Sequence, residues 1–142
     1  MAAVLTLAGC SQKPVYSHFE HFDSNGWRRA DAATYSIGVQ EEGIYNIAMD
    51  LRVCSLYPYT QLMLVVQASN TSHLINRTDT VNIDITDYEG NPLGSGLSIR
   101  THHIDLPPAT LTTNDTLNVT VTHNMSRECL PGIIDIGIIA EK

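Results

Sequence analysis

The sequence predicts an all-β fold, a two-sheet β-sandwich of about seven or eight strands with immunoglobulin-like or jelly-roll-like connections. Apolar and polar residues alternate along most of the chain, and clusters of Gly, Pro, Asn and Asp separate the alternating stretches. No window of adequate length shows the period of an amphipathic helix. With 142 residues, 43% of them apolar and 16% charged, the chain can bury a core of its own.

The predicted strands follow one another at short intervals. In chain order they cover residues 34–39, 45–53, 61–68, 81–86, 97–106, 117–122 and 134–138. Most have one apolar face, as one half of a sandwich requires. Residues 61–68 are apolar on both faces, so we expect this strand in the centre of a sheet. In 97–106 the alternation changes phase at His102-His103, which predicts a bulge or a corner there.

The chain opens with MAAVLTLAGCSQKP. The apolar stretch is too short to span a membrane, and it ends in Leu7-Ala8-Gly9-Cys10, which resembles the bacterial lipobox. In a lipobox the signal peptide is removed before a Cys whose thiol carries a diacylglyceryl anchor. The alternative is a buried N-terminal strand that happens to end in Gly-Cys.

The lipobox interpretation sets the expected organisation and location of the chain. Residues 1–9 are the remainder of a lipoprotein signal peptide, 10–26 are the lipidated N-terminus and tether, and 27–142 are the sandwich. Neither an Asp directly after Cys10 nor an acidic run is present. We therefore expect a protein attached to the membrane by its acyl anchor, in the outer membrane and facing the periplasm.

Charge and motif content exclude several classes of function. Eight basic against 15 acidic residues give a net charge of −7, the wrong sign for a nucleic-acid partner. His102 and His103 are adjacent in a strand and point to opposite faces, so they do not form a metal site together. No nucleophile elbow, zinc-protease helix or phosphate loop occurs. We expect no catalytic residues, no metal, no cofactor and no small-molecule ligand.

Two cysteines remain once Cys10 carries the anchor. Cys54 and Cys129 form an even pair in an oxidising compartment, so they are a candidate disulfide. Two free thiols, one buried and one in a loop, are the alternative, because the sequence gives no distance between them.

Aromatic residues form one candidate contact surface. Tyr57 and Tyr59 flank Pro58, and together with Trp27 they could build a platform for sugar rings or for a protein partner. The alternative is a connector whose tyrosines cap the edge of the core.

The segment DITDYEGNPLGSGLS, residues 84–98, is the most distinctive stretch. Asp87, Glu89 and Asn91 could offer oxygen ligands to calcium, but the spacing lacks the paired acidic pattern of an EF-hand. A turn explains the same residues. We count these three residues, with the aromatic ones, as candidate contacts to a partner or a glycan.

Two triplets resemble the short O-glycosylation motif of Bacteroidota. They are Asp79-Thr80-Val81 and Asp115-Thr116-Leu117, which makes Thr80 and Thr116 candidate modification sites. Both triplets also fit the beginning of a strand.

Several segments together resemble the gliding-motility lipoprotein H (GldH) family of Bacteroidota. They are FDSNGW (22–27), LRVCSLYPYTQLMLVV (51–66), DTVNIDITDYEGNPLGSG (79–96), VTHNM (121–125) and LPGIIDIGIIAEK (130–142). The resemblance implies a non-enzymatic envelope lipoprotein, with protein partners in an assembly for gliding motility or linked to type IX secretion. It carries over a role for one residue, Cys10 as the acylation site. A glycan-binding envelope lipoprotein for nutrient capture is the alternative function.

Overall fold

The computed structural model describes residues 14–142, so Cys10 and residues 1–9 lie outside the described residues. The described residues form ten strands and no helix. The strands are β1 (Tyr16–His21), β2 (Trp27–Arg28), β3 (Ala33–Gly38), β4 (Gly43–Cys54), β5 (Gln61–Asn70), β6 (Asn76–Asp84), β7 (Ile99–Leu111), β8 (Thr116–His123), β9 (Cys129–Leu130) and β10 (Ile133–Glu141).

Eight of these strands build two antiparallel sheets that pack face to face. The first sheet has the order β1-β10-β4-β7 and the second the order β3-β8-β5-β6, while β2 and β9 form a short ribbon. Each sheet interleaves strands from the two halves of the chain, as a jelly roll does. The predicted β-sandwich is confirmed. The sequence left open whether its connections are immunoglobulin-like or jelly-roll-like, and the described strands have the jelly-roll order.

The core lies between the sheets and consists of the alternating residues that the sequence pattern indicates. Met49, Leu51, Leu62, Leu117 and Ile136 are each 0% exposed. Burying a side chain of this size contributes about 1.5–3 kcal/mol relative to leaving it in water. All seven predicted strands are present, and most extend by one or more residues beyond the predicted bounds.

The first strand corrects the predicted tether, because residues 16–21 belong to the sandwich. β1 pairs with β10 in register from Tyr16 opposite Ala140 to His21 opposite Asp135. Its residues do not alternate in hydropathy, since it is an edge strand whose outward-pointing Phe19 lies over Gly137 instead of facing solvent. The sequence pattern that indicates the other strands is therefore missing here.

Gly137 leaves the space that Phe19 occupies. A Cβ at Gly137 would lie 2.3 Å from a carbon of the Phe19 ring. We expect Gly137→Ala to push this ring off the sheet and to lower the free energy of unfolding by about 1–2 kcal/mol. Gly38→Ala is the matched control, because nothing lies within 4 Å of its Cβ position. Equal urea midpoints for the two variants would contradict this account.

The predicted irregularity at His102-His103 is wrong. β7 continues through both residues, which pair with Leu51 and Asp50 of β4. The register shifts instead between Tyr45 and Ile47, and the opposing stretch of β7 contains Pro107-Pro108, whose missing N–H groups cannot continue the ladder. The change of phase arises because Leu97 is an exposed loop residue and Ile99, the first residue of β7, is exposed as well, so neither marks the buried face of the strand.

The strands run between two ends of the sandwich. The connections 22–32, 55–60, 85–98 and 124–132 lie at one end, which we call the loop end. The connections 39–42, 71–75 and 112–115 lie at the other, the terminal end, where β1 begins and β10 finishes. β4 alone spans 12 residues, so the two ends are about 40 Å apart.

Candidate functional site

Two of the three aromatic residues predicted as a contact platform are buried. Trp27 is 1% exposed, donates its indole N–H to the Asp31 carbonyl at 2.8 Å and stacks on Phe22 with ring centroids 4.8 Å apart. Tyr57 is 7% exposed and donates its hydroxyl to the Gln61 carbonyl at 2.7 Å. Because the polar tips find partners inside the fold, these rings stabilise the core beneath the loop end and are not available as a surface.

Tyr59 remains at the edge of that core. It is half-buried, and its ring meets the Tyr57 ring edge-on with centroids 5.7 Å apart. Burial raises the pKa of Tyr57. The pair corresponds to the alternative in which tyrosines cap the core edge.

Asp87 organises the turn in the distinctive segment. One of its carboxylate oxygens accepts the backbone N–H groups of Glu89 at 2.9 Å and of Asn91 at 2.8 Å, and the other accepts the Asn91 side-chain amide at 3.0 Å. These hydrogen bonds, those from Asn91 first, lower the pKa of Asp87. The carboxylate is thus engaged by its own turn, while Glu89 points to solvent.

The loop end exposes a set of large apolar side chains that the sequence did not single out. Tyr88 is 96% exposed, Leu97 90% and Leu56 71%. We call the set the loop-end surface; its members are Leu56, Tyr88, Leu93, Leu97 and Ile99. Most of them lie in segments rich in turn residues, where no alternation indicates which side chains are buried. Apolar residues grouped at one end in this way mark a contact site more often than scattered ones do.

A cavity of about 250 Å³ opens in the loop-end surface. Its apolar wall includes Val53, Tyr57, Ile85, Pro92 and Leu97. Thr86 lines both this cavity and a neighbouring one beside Tyr88 and Leu93, so the two depressions adjoin. An apolar side chain of a partner could enter there.

The two cysteines of the described residues are free thiols. Cys54 lines the cavity of the loop-end surface, whereas the Cys129 thiol donates to the Asn25 carbonyl at 3.0 Å. The thiols therefore face different neighbours, and the candidate disulfide is not formed in this structure.

The two candidate glycosylation sites differ in access. Thr80 is exposed on β6, an edge strand of the second sheet. Thr116 is half-buried, and its backbone N–H is bonded to the side chains of Thr71 and Asp115. Of the two hydroxyls, the one at Thr80 is the more accessible to a transferase.

The outer face of the first sheet carries two groups of paired charges. Asp135 is bound by Arg52 and lies 3.1 Å from His21 Nδ1. On the neighbouring rung, His103 lies 2.5 Å from Asp50. The hydrogen bond to Asp50 raises the pKa of His103. Both carboxylates have basic partners, which is the arrangement of structural ion pairs.

Residues 14–142 contain no group of three or more His, Cys, Asp or Glu side chains placed to share a metal ion. In the same part of the chain, no helix is long and apolar enough to cross a membrane.

Comparison with known proteins identifies the family. Residues 14–139 match the sequence profile described as GldH lipoprotein. The chain belongs to the GldH lipoprotein family. The resemblance seen in the sequence is thereby confirmed.

A curated relative of this GldH-family chain is the "Gliding motility lipoprotein GldH" of Flavobacterium johnsoniae. The two are 25% identical over 99 residues, which are 69% of this chain and 61% of the relative. The chain thus spans less than two thirds of the length of that relative. Membership of a lipoprotein family supports a lipid-anchored place in the cell envelope.

Solved structures show weaker likeness to the GldH-family chain. The domain "CBM35 from Cellvibrio japonicus Abf62" is 16% identical with a TM-score of 0.42, covering 84% of this chain and 70% of its own. The "Eiger TNF from S. frugiperda" is 10% identical with a TM-score of 0.37, covering 89% and 92% of the respective chains.

Proposed function

We propose that this GldH-family chain is a non-enzymatic lipoprotein acylated at Cys10, whose jelly roll presents a protein-docking surface away from the membrane. The loop-end surface is the observation that supports this function most directly. It groups five exposed large apolar side chains at the end of the sandwich opposite the one where β1 begins. The proposed location is the outer membrane, facing the periplasm.

The place where the chain joins the sandwich supports a docking surface that faces away from the membrane. Val15 donates its backbone N–H to the Ala140 carbonyl at 2.9 Å, so the chain joins the sandwich at the terminal end. Only four residues separate Cys10 from Val15. An anchor at Cys10 keeps the terminal end near the bilayer, and the loop-end surface then stands about 40 Å farther out.

Acidic residues border the loop-end surface and indicate the charge of the partner that would fit it. Asp84 and Asp87 line the depression beside Tyr88, and Glu89 follows in the same turn. A partner with an apolar centre and a basic rim complements this arrangement. We assign the partner to an assembly for gliding motility or linked to type IX secretion, in which the chain serves as a scaffold or accessory component.

The glycan-binding alternative loses the platform on which it rested, since Trp27 and Tyr57 are buried. Tyr88 is the aromatic ring that the loop-end surface exposes most. The docking experiment therefore also measures whether the chain binds a polysaccharide through Tyr88.

Two substitutions test the docking surface. In cells with native-level expression, we expect Tyr88→Ser with Leu97→Ser to reduce crosslinked partner protein at least ten-fold, because both side chains supply apolar area at its centre. Gln67→Ser, an exposed position on β5, is the matched control and keeps the partner. Mass spectrometry identifies the crosslinked protein, and Cys10→Ala should abolish its recovery.

Unchanged recovery with the double variant would remove the loop-end surface as the docking site. Saturable binding of a polysaccharide that depends on Tyr88, with no protein crosslinked, would replace the proposed function by the glycan-binding one.

A further inference from the structure

The terminal end also exposes large apolar side chains, although no strand or loop of the described residues covers them. Val15 is 52% exposed, Ile44 63% and Leu74 74%. They come from three different places in the chain: the residue before β1, the second residue of β4 and the loop between β5 and β6. Single exposed aliphatic residues are ordinary, but these three share the end to which the proposed anchor is joined.

The distance from Cys10 limits how far this end can stand from a bilayer. Five Cα-to-Cα steps lead from Cys10 to Val15, so the two Cα atoms are at most about 18 Å apart. The headgroup layer of one leaflet is roughly 5–8 Å thick. A chain acylated at Cys10 therefore keeps Val15 within the headgroups or no more than about 13 Å above them.

The charges at this end indicate the kind of headgroup. Lys142 Nζ lies 2.7 Å from Glu41 Oε2, and both residues line an open cavity of about 420 Å³ beside Val15. Glu42 and Glu141 are exposed nearby, so the end as a whole is acidic. An acidic end is repelled by anionic lipids, whereas a zwitterionic headgroup offers a partner to each member of the Lys142–Glu41 pair.

We propose that the terminal end rests on the bilayer that holds the Cys10 anchor, with Val15, Ile44 and Leu74 in the headgroup layer of zwitterionic lipids. Aliphatic side chains at this depth gain from leaving water in the way that interfacial helices do. With the terminal end on the bilayer, the strands run away from the membrane plane. The loop-end surface then faces away from the bilayer, where a partner can bind it. This inference rests on the proposed acylation of Cys10.

The test uses the acylated full chain on vesicles of phosphatidylcholine. Single thiols are introduced by Leu74→Cys at the terminal end and by Leu97→Cys at the loop end, each with Cys54→Ser and Cys129→Ser, and are labelled with an environment-sensitive fluorophore. Brominated lipids should quench the label at position 74 at least three-fold more than the matched label at position 97. Ile44→Cys should behave like Leu74→Cys.

Flotation of the chain with the vesicles reports the anchor separately from the contact. A chain that floats but shows equal quenching at positions 74 and 97 overturns the membrane contact and leaves the anchor intact. A chain that does not float overturns both. Replacing half of the phosphatidylcholine by phosphatidylglycerol should reduce the quenching at position 74 about two-fold; undiminished quenching would overturn the zwitterionic preference.

Discussion

Truncation of Arg52 to alanine is expected to lower the free energy of unfolding by about 3 kcal/mol. Its guanidinium donates to the carboxylate of Asp135 through Nε at 2.8 Å and through Nη2. Asp135 is 0% exposed, so the substitution leaves a buried carboxylate with only His21 nearby, 3.1 Å away. A buried charge without its partner is among the most destabilising changes that one substitution makes.

The size of this effect follows from what surrounds the pair. Asp135 lies on the outer face of β10, at the register shift next to Ile133, and pairs with Arg52 of β4 on one side and His21 of β1 on the other. The carboxylate therefore links three strands of the first sheet. The Arg52 side chain is 40% exposed and that of His21 69%, so water screens both partners and we take the lower part of the usual range of about 3–5 kcal/mol.

Equilibrium urea unfolding at pH 7 measures the Arg52 effect. Arg127→Ala, at an exposed loop position, is the control and should change the free energy of unfolding by less than about 0.5 kcal/mol. Arg52→Met combined with Asp135→Leu should recover most of the loss, because no charge is then buried alone. An Arg52→Ala variant as stable as Arg127→Ala would show that Asp135 does not depend on its partner.

Most of the strands were predictable because each sheet buries one face. In β4 and β8 every second residue enters the core, and the alternation in the sequence is the direct result. The buried Asp135 breaks that rule. Its position in β10 belongs to the outer face, where the pattern indicates exposure, but Arg52 of β4 and His21 of β1 lie against its carboxylate from the two neighbouring strands.

The candidate site was less predictable, because exposure is decided by tertiary packing. Residue type marks Trp27 and Tyr57 as contact residues, yet backbone carbonyls of Asp31 and Gln61 satisfy their polar atoms inside the fold. The residues that are exposed, such as Leu97, lie where turns replace regular strands, and there no period separates inside from outside.

Replacing Asp115 with asparagine is the second substitution for which we expect a large effect, a loss of about 2–3 kcal/mol at pH 7. Asp115 is 3% exposed and lies between β7 and β8. Its carboxylate accepts the side chains of Asn70 and Thr71 at 2.8 Å each and that of Ser72 at 3.0 Å. These donors belong to the end of β5 and the turn that follows, so one carboxylate joins two connections of the terminal end.

The loss at neutral pH has a simple origin. An ionised carboxylate accepts on both oxygens, whereas an amide offers one acceptor and brings two donors of its own into a site already filled with donors. At least one hydroxyl or amide then stays unbonded, and where that group is buried, as the Asn70 amide is, the loss costs about 1–3 kcal/mol. The hydrogen bonds that Asp115 accepts also give the Asp115-Thr116-Leu117 triplet a structural role that requires no glycan on Thr116.

The pH dependence of this effect has a definite sign. Burial by itself would raise the pKa of Asp115, but the hydrogen bonds from Thr71, Asn70, Thr112 and Ser72 outweigh it and hold the pKa well below its usual range. The folded chain thus binds this proton less tightly than the unfolded one, whose pKa for the group is about 4. Stability from Asp115 is fully present above that pH and is lost as the pH falls toward the folded-state pKa.

The difference in free energy of unfolding between the natural chain and Asp115→Asn should therefore be constant from pH 7 to about pH 5 and shrink between about pH 4 and pH 2. Urea unfolding at each pH measures it, and taking the difference removes the titration of the other carboxylates because both chains share them. Asp105→Asn is the control, since Asp105 is exposed and holds only a surface contact to His103 at 3.3 Å. A difference that grows on acidification would mean that Asp115 is protonated more readily in the fold than outside it, which is incompatible with a carboxylate held by donors on both oxygens.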